Sequence, residues 1–328
     1  MSTDEPRMAT QYHDASNLNA RIALHERFST NPRSLPLWIF DQLELPDDAR
    51  VLEIGCGPGN LWADNAERIP DGLQITLTDA SPGMVREAKA RLGGSRSFRF
   101  RVADAQELPF ADGSFDAVIA AHMLYHVADR DKAFSEIVRV LRHGGRLYAV
   151  TNGMKHMYEL APMLRVLDPE WPHENIGADL PNFNLENGTE QLAPWFDQLT
   201  SLRYEDSLVV TEAKPLVDYL LSGMHAQVLA ERMPGEEFQE RVSVLADSLE
   251  RELASHGRIR ITKDPGMFVA ASPARTHDRR SPSLSCQSRF GYTPGVRSAR
   301  SVLVGVAWLL SAILAVLWLG VVALNIMD

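Results

Sequence analysis

Short aliphatic and β-branched runs alternate along the chain with longer stretches whose apolar positions repeat at helical spacing. The runs Arg50–Ile54, Leu73–Thr78, Phe98–Val102, Phe115–Ala120 and Arg146–Thr151 predict five strands. The intervals Pro58–Ile69, Ser81–Leu92 and Asp129–Leu141 predict helices. Ser81-Pro82 supplies an N-cap and a first-turn proline, and Gly93-Gly94 stops that helix. Strands separated by helices imply right-handed βαβ units and a mostly parallel sheet. Leu18–Phe28 and Leu35–Leu43 predict two helices ahead of the sheet. Beyond it, residues 153–199 have no clean period and carry Tyr158, Trp171, Phe183, Trp195 and Phe196 among prolines and asparagines. Leu202–Thr211 and Ile259–Ala270 predict two further strands, with helices near 215–221 and 235–255 between them.

The most apolar run stands apart from this pattern. Val302–Leu324 is 23 residues without a charge or a proline. As a helix rising about 1.5 Å per residue it would cross a hydrocarbon core of about 30 Å. A buried helix of the body is the alternative. Ser272–Arg300, rich in Ser, Arg, Pro and Gly, predicts a basic linker without fixed structure. Arg297 and Arg300 before the apolar run, with only Asp328 charged after it, predict a cytoplasmic body anchored by a C-terminal helix. The start of the sequence has no signal-like apolar core. The tail also fits a fusion or a shifted reading frame appended to a complete domain.

Charge divides along the same boundary. The chain is formally −10, yet the last 57 residues carry six arginines against two aspartates, so the body is acidic. An acidic body argues against nucleic acid as partner. The two cysteines, Cys56 and Cys286, support neither a disulfide framework nor a zinc site. No His/Cys/Asp/Glu cluster has metal-ligand spacing, and His122 and His126 lack the helical glutamate of a zinc motif, so no metal is expected.

The chemistry concentrates in Val51-Leu52-Glu53-Ile54-Gly55-Cys56-Gly57-Pro58-Gly59-Asn60. A strand running into a glycine-rich turn and a helix places a nucleotide-like ligand at the strand's carboxyl end. Glycines let that ligand approach backbone N–H groups. A dinucleotide turn wants G-x-G-x-x-G, but Asn60 occupies its last position. Glu53, just before the turn, would repel a pyrophosphate and attract a cationic amine or sulfonium. Asp79 ends the second strand, where an acid accepts from ribose hydroxyls. Asp104 follows the third strand, placed to accept from an adenine amino group while the Ala105 backbone donates to the ring. A plain strand-end charge for Glu53, a turn filler for Cys56 and a helix-start acid for Asp79 are the structural alternatives.

These motifs resemble class I S-adenosylmethionine-dependent methyltransferases of the small-molecule type, including those of ubiquinone/menaquinone and natural-product synthesis. VLEIGCGPG resembles the family's first motif, LTDASPGM its second and VADAQELPFADGSFDAVIA its third and fourth, while RVLRHGGRLYAV resembles the element around the fifth strand. The resemblance implies an α/β, doubly wound, Rossmann-like seven-stranded sheet in the order 3-2-1-4-5-7-6, with S-adenosyl-L-methionine as cofactor. It implies a cofactor site of Glu53, Gly55, Cys56, Gly57, Gly59, Asp79, Ala80, Met84, Asp104, Ala105 and His122. In the resembled fold the loop after the fourth strand lies beside the reactive methyl, which makes His122, Tyr125 and His126 candidates for orienting or deprotonating a small-molecule acceptor. Packing roles for the same three residues stay open.

The expected organisation is a helical lid over 1–44, a methyltransferase domain over 45–271 with an aromatic substrate lid at 153–199, a linker over 272–300 and a membrane helix over 301–324. Transfer to a lipid or quinone at the membrane, and a non-catalytic adenosyl-binding protein, are the competing functions.

Overall fold

The computed structural model describes residues 16–94, 97–171 and 180–273. They run, in order, through α1 (Ser16–Phe28), α2 (Leu35–Asp41), β1 (Arg50–Ile54), α3 (Asn60–Ala63), β2 (Gln74–Asp79), α4 (Pro82–Leu92), β3 (Phe98–Val102), β4 (Phe115–Ala121), α5 (Arg130–Val140) and β5 (Leu141–Asn152). There follow α6 (Leu160–Leu167), α7 (Gly188–Leu192), β6 (Phe196–Arg203), β7 (Asp206–Val210), α8 (Ala213–Leu221), α9 (Met224–Arg232), α10 (Gly235–His256), β8 (Ile259–Lys263) and β9 (Pro265–Pro273).

Seven strands form one sheet in the order β3-β2-β1-β4-β5-β9-β6. β1 to β5 pair in parallel, and β9 lies antiparallel between β5 and β6. The order is the expected one. The strand in the seventh place is ninth along the chain because β7 and β8 form a separate two-stranded ribbon.

Alternation along the central strands fixes both faces of the sheet. Leu52, Ile54, Val118, Ala120, Leu147 and Ala149 point to one side and pack with α5 through Ala133, Phe134 and Ile137. Val51, Ile75, Leu77, Ala117, Ile119 and Val150 point to the other, toward Ile39, Leu61, Trp62 and Ala88. A third apolar cluster lies outside the sheet. Leu24, Phe28, Met157, Leu160, Leu164, Leu208, Leu216, Leu245 and Ile261 join α1, α6, α8, α10 and the ribbon into a cap.

Local departures from the sequence reading have local causes. Pro58–Ile69 is not one helix: α3 lasts four residues and a 3₁₀ turn spans Ala66–Arg68. Asn65, 1% exposed, donates from its side chain to the carbonyls of Leu61 (2.7 Å) and Pro36 (3.1 Å). Its backbone leaves helical geometry at φ −112°, so side chain and backbone compete for the same carbonyl.

The stretches Leu202–Thr211 and Ile259–Ala270 each break into two strands. The breaks, Tyr204-Glu205 and Asp264, face one another, because Arg203 pairs with Gly266 on one side and Asp206 with Lys263 on the other. Asp264 is drawn aside, its carbonyl accepting from Gly153 N at 2.7 Å. The antiparallel ladder therefore leaves the main sheet and continues as the β7–β8 ribbon.

Residues 153–199 contain α6 and α7. The apolar period of α6, at Leu160, Ala161, Leu164 and Leu167, was masked by Pro162 in its first turn. The sequence pattern predicts no helix at α9, which the structure shows. Ser272 and Pro273, assigned above to the linker, are the end of β9. The rest of the linker and the apolar run 302–324 lie outside the described residues. Among the described residues no helix is long and apolar enough to cross a membrane.

Candidate active site

The carboxyl ends of β1, β2 and β3 lie side by side. Ile54 is paired with Thr78, and Asp79 with Val102. Two consecutive crossings therefore bring Gly55–Gly59, Asp79 and Ala103–Ala105 to one edge. Backbone bonds from Cys56 N to Thr78 O (2.9 Å) and from Ala103 N to Asp79 O (3.1 Å) hold the edge together.

The glycine turn is left-handed at Gly55 (φ 66°), Gly57 (φ 53°) and Gly59 (φ 80°). An L side chain is strained at each. The space around them differs. A Cβ on Gly55 would come within 2.7 Å of Met123 Cβ, and one on Gly59 within 2.7 Å of Leu92 Cδ1. Gly57 has no neighbour within 4 Å of that position, so its face of the turn is open. Two glycines permit packing, and the third leaves open space where a side chain would stand.

Asp79 bonds to the backbone of this turn. Its Oδ2 accepts from Gly57 N at 3.0 Å and its Oδ1 from Ser81 N at 2.8 Å. Burial pushes its carboxyl up, against those two bonds. Ser81 caps α4 through Met84 N at 3.4 Å and Met84 is buried, while Ala80 is exposed. Asp104 is exposed at the outer end of the edge, where Gln106 donates from its backbone N (2.8 Å) and from Nε2 (3.1 Å to each oxygen). The neighbouring Ala105 is buried.

Glu53 is not an open strand-end charge. Alternation places it on the face of Val51, and it is 2% exposed. Trp62, 0% exposed, donates Nε1–H to Glu53 Oε2 at 2.6 Å. Burial raises the Glu53 carboxyl to about 8; the Trp62 bond opposes the shift and the Asp79 charge adds to it. Burial here thus disfavours the bare carboxylate expected from sequence at this position. Trp62, nine residues downstream, is not among the residues expected at the site, although an indole at the start of a helix after a strand-end acid is a signal the sequence carries. Cys56 is buried and its Sγ–H lies 3.4 Å from Gly57 O, with burial pushing the thiol up. These observations fit a turn-filling role.

After β4 the chain turns sharply. His122 has φ 55°, and its N–H donates to Val150 O at 2.9 Å. Burial, with Lys263 and His126 adding, lowers His122 to about 4. Leu124–His126 form a 3₁₀ turn, and the Tyr125 and His126 rings meet edge to face at 4.5 Å. Tyr125 packs against the apolar cluster on the α5 side of the sheet. The structure thus brings His122 to the same sheet edge as the glycine turn, one strand along, and gives Tyr125 and His126 mutual packing.

The cap contributes groups that the sequence reading did not select. His156 follows β5, and His25 lies on α1 with its ring 6.4 Å from that of His156 and nearly parallel. Lys263 and Asp206 form a buried ion pair across the β7–β8 ribbon, and Ser29 bonds to both. Nothing local in the sequence links residues 25, 156, 206 and 263, which only the fold assembles. Among the described residues no group of three His, Cys, Asp or Glu is placed to hold a metal ion.

Comparison with known proteins agrees with this geometry. Residues 52–149 match the family model described as a methyltransferase domain. The demethylmenaquinone methyltransferase of Beutenbergia cavernae is 37% identical over 141 residues, covering 41% of this chain and 56% of that protein. The malonyl-(acyl-carrier protein) O-methyltransferase of Geobacter sulfurreducens is 34% identical over 143 residues, covering 43% of this chain and 51% of that protein. The chain thus spans about half the length of the curated relatives it matches. Among solved structures, the cyclase SpnF superimposes with a TM-score of 0.51 at 19% identity, covering 81% of this chain and 95% of that one. That likeness concerns the fold alone, on which more than one chemistry is built. The strand order, the left-handed glycine turn and the acids at neighbouring strand ends are features that this chain, with its methyltransferase domain at residues 52–149, shares with class I S-adenosylmethionine-dependent methyltransferases.

Proposed function

We propose that the chain transfers a methyl group from S-adenosyl-L-methionine to a small organic acceptor. The observation that carries the reading is the edge formed by Glu53, the Gly55–Gly59 turn, Asp79 and Asp104-Ala105 on three adjacent strands. The open face at Gly57 fits a ligand approaching the backbone closely. The cofactor, when bound, supplies a methyl carbon on a positively charged sulfur.

The roles of the chain's own residues follow from their environments. Glu53, kept from water by Trp62, faces the amine of the methionine portion. Asp79, already fixed by Gly57 N and Ser81 N, keeps lone pairs for two ribose hydroxyls. Asp104 and the Ala105 backbone take the adenine edge, and Met84 and Ala80 flank the ribose. His122, held in a left-handed turn, lies between this edge and the cap. It positions the acceptor, with Tyr125 and His126 behind it. The helical cap, α1 with the elements after β5, excludes water and gives the acceptor its apolar walls.

Incubating the chain with methyl-labelled S-adenosylmethionine and a cell extract tests this reading. Label should appear in a small product, and no label in any product despite tight cofactor binding would favour a binding protein. Attachment to a membrane through residues 302–324 is a separate proposal. Flotation of the full chain with lipid vesicles, and its loss on deleting 301–328, is the expected result.

A further inference from the structure

We propose that His25 and His156, with His122, form the anchor for an acceptor bearing an acidic oxygen (a phenol, enol or carboxylic acid), His156 donating to that oxygen and His25 receiving its proton. This inference rests on the methyl-transfer reading and names the substrate class.

The histidines come from three places in the chain. His25 is on α1, His122 follows β4 and His156 follows β5. The backbone is left-handed at His122 and at Met157, both at φ 55°, and among the described residues no other non-glycine position has a positive φ. One strained residue is a member of the group and the other directly follows His156. Such backbone persists where the surroundings over-determine it, and it clusters at functional sites.

Hydrogen bonding gives the imidazoles different jobs. Asp264 N–H donates to His156 Nδ1 at 3.1 Å. His156 therefore carries its proton on Nε2 and cannot accept one at Nδ1 without losing that bond. It is a fixed donor. His25 Nδ1 is buried and has no hydrogen-bond partner among the described residues. A buried ring nitrogen left unpaired is costly unless a ligand completes it. The His25 ring is held by His156 on one side and by the edge of Tyr219, 5.9 Å away, on another.

The surrounding charges are a paired ammonium and carboxylate, and at His25 the Lys263 charge outweighs that of Asp206. From the ribbon, Lys263 presents an ammonium and Asp206 a carboxylate that Lys263 and Ser29 hold down to about 2 despite burial. From α8, Tyr219 is pushed up to about 12 by burial and stays neutral, its hydroxyl directed to Met157 Sδ at 3.1 Å. From α1, Arg21 is tied to Ser222. His126 lies beyond His122, and Glu159 is occupied by Thr262. Burial first, and Lys263 second, lower His25 to about 3. The histidines are thus neutral at pH 7 without a ligand. A negative oxygen among them reverses the effect of Lys263 and lets His25 hold a proton. In the reaction the acceptor O–H proton passes to His25 Nδ1. The oxygen's electron pair forms the bond to the methyl carbon, and the carbon–sulfur pair returns to sulfur, which leaves as a neutral thioether.

The test is ring-nitrogen NMR of the full chain labelled at histidine and saturated with S-adenosylhomocysteine, titrated between pH 3 and 8 with benzoate or with benzamide. Benzoate should raise the His25 titration from about 3 by about two pH units or more, leave His156 neutral with its proton on Nε2, and be bound with proton uptake at about pH 5. Benzamide should do none of these. His25→Asn, which keeps an accepting atom near Nδ1, should abolish the proton uptake and keep S-adenosylhomocysteine affinity. Histidines that ignore benzoate, or respond equally to benzamide, overturn the anchor. A chain that takes up benzoate as described yet does not bind S-adenosylhomocysteine upholds the anchor and overturns methyl transfer.

Discussion

Replacing Glu53 by glutamine isolates what a buried, protonated acid does to cofactor binding. Burial beside Trp62 raises the Glu53 carboxyl to about 8 in the unliganded chain. The methionine amine of the cofactor is cationic below its own pKa of about 7.7–8.0. Binding that cation favours the carboxylate, so the complex forms with loss of the Glu53 proton. The ionised fraction of a group titrating at about 8 is roughly 1 in 300 at pH 5.5 and roughly 1 in 4 at pH 7.5. Allowing for the part of the amine that is uncharged at pH 7.5, affinity should therefore tighten by about 50-fold over those two pH units, which is about 2.3 kcal/mol at 1.36 kcal/mol per pKa unit. Calorimetry at pH 6.5 in buffers of different ionisation enthalpy should detect close to one proton released for each S-adenosylhomocysteine bound.

Glu53→Gln keeps an oxygen for the Trp62 N–H and removes the proton. Its affinity should be nearly flat across the same range and weaker than that of the parent chain at pH 7.5. The effect on folding has the opposite sign. A carboxyl raised in the folded state binds more protons there than in the unfolded chain. Its contribution is present below the unfolded value of 4.5 and lost as pH rises toward about 8. Without cofactor, the parent chain should lose thermal stability relative to Glu53→Gln as pH rises through that window. Parent affinity that does not change with pH, with no proton released, would refute both the burial argument and the placing of the amine at Glu53.

Other substitutions probe the same edge. Asp79→Ala removes the acceptor of Gly57 N and Ser81 N, and should weaken cofactor binding by about 1–3 kcal/mol in calorimetry. Gly55→Ala and Gly57→Ala make an informative pair: both strain a left-handed φ, but only Gly55→Ala also collides with Met123. Gly55→Ala should give the larger fall in melting temperature, whereas Gly57→Ala should fold and fail to bind S-adenosylhomocysteine. Lys263→Met removes the counter-ion of Asp206, which keeps its bonds from Ser29, Thr30 and Asn31, and should cost about 1–3 kcal/mol in denaturant unfolding. Much of that loss should return in Lys263→Met/Asp206→Leu.

The half of the molecule that carries the cofactor edge was legible because its signals are local. Strand, turn and helix follow one another within a few residues from Val51 to Leu92, and the parallel sheet order then puts Gly55, Asp79 and Asp104 in line. The cap was not legible for the opposite reason. Its ribbon exists because two breaks, at Tyr204-Glu205 and at Asp264, fall opposite each other in a ladder whose partners are about 60 residues apart in sequence. Nothing in either strand alone fixes that coincidence. The short helix at Asn60–Ala63 ends on a buried side-chain bond that composition does not reveal.

The largest gap between sequence and structure concerns charge rather than position. Glu53, Asp79 and Asp104 look equivalent as acids at strand ends, yet their surroundings set them apart: one is sealed against an indole, one is fixed by two backbone amides, and one is open to water. Desolvation scales with what packs above a group, and what packs above Glu53 is Trp62, placed there by the tertiary fold. Three equivalent carboxylates would make an electrostatic trap that works at any pH above their ordinary values. The unequal burial of the three acids would instead make an edge whose inner acid, Glu53, takes up its negative charge when a cation arrives to hold it. The same logic extends to the cap, where burial keeps the histidines neutral until an anion can sustain their charge. Each side of the proposed reaction centre would then become charged only in the presence of the ligand that needs it, and the unliganded protein avoids maintaining uncompensated buried ions.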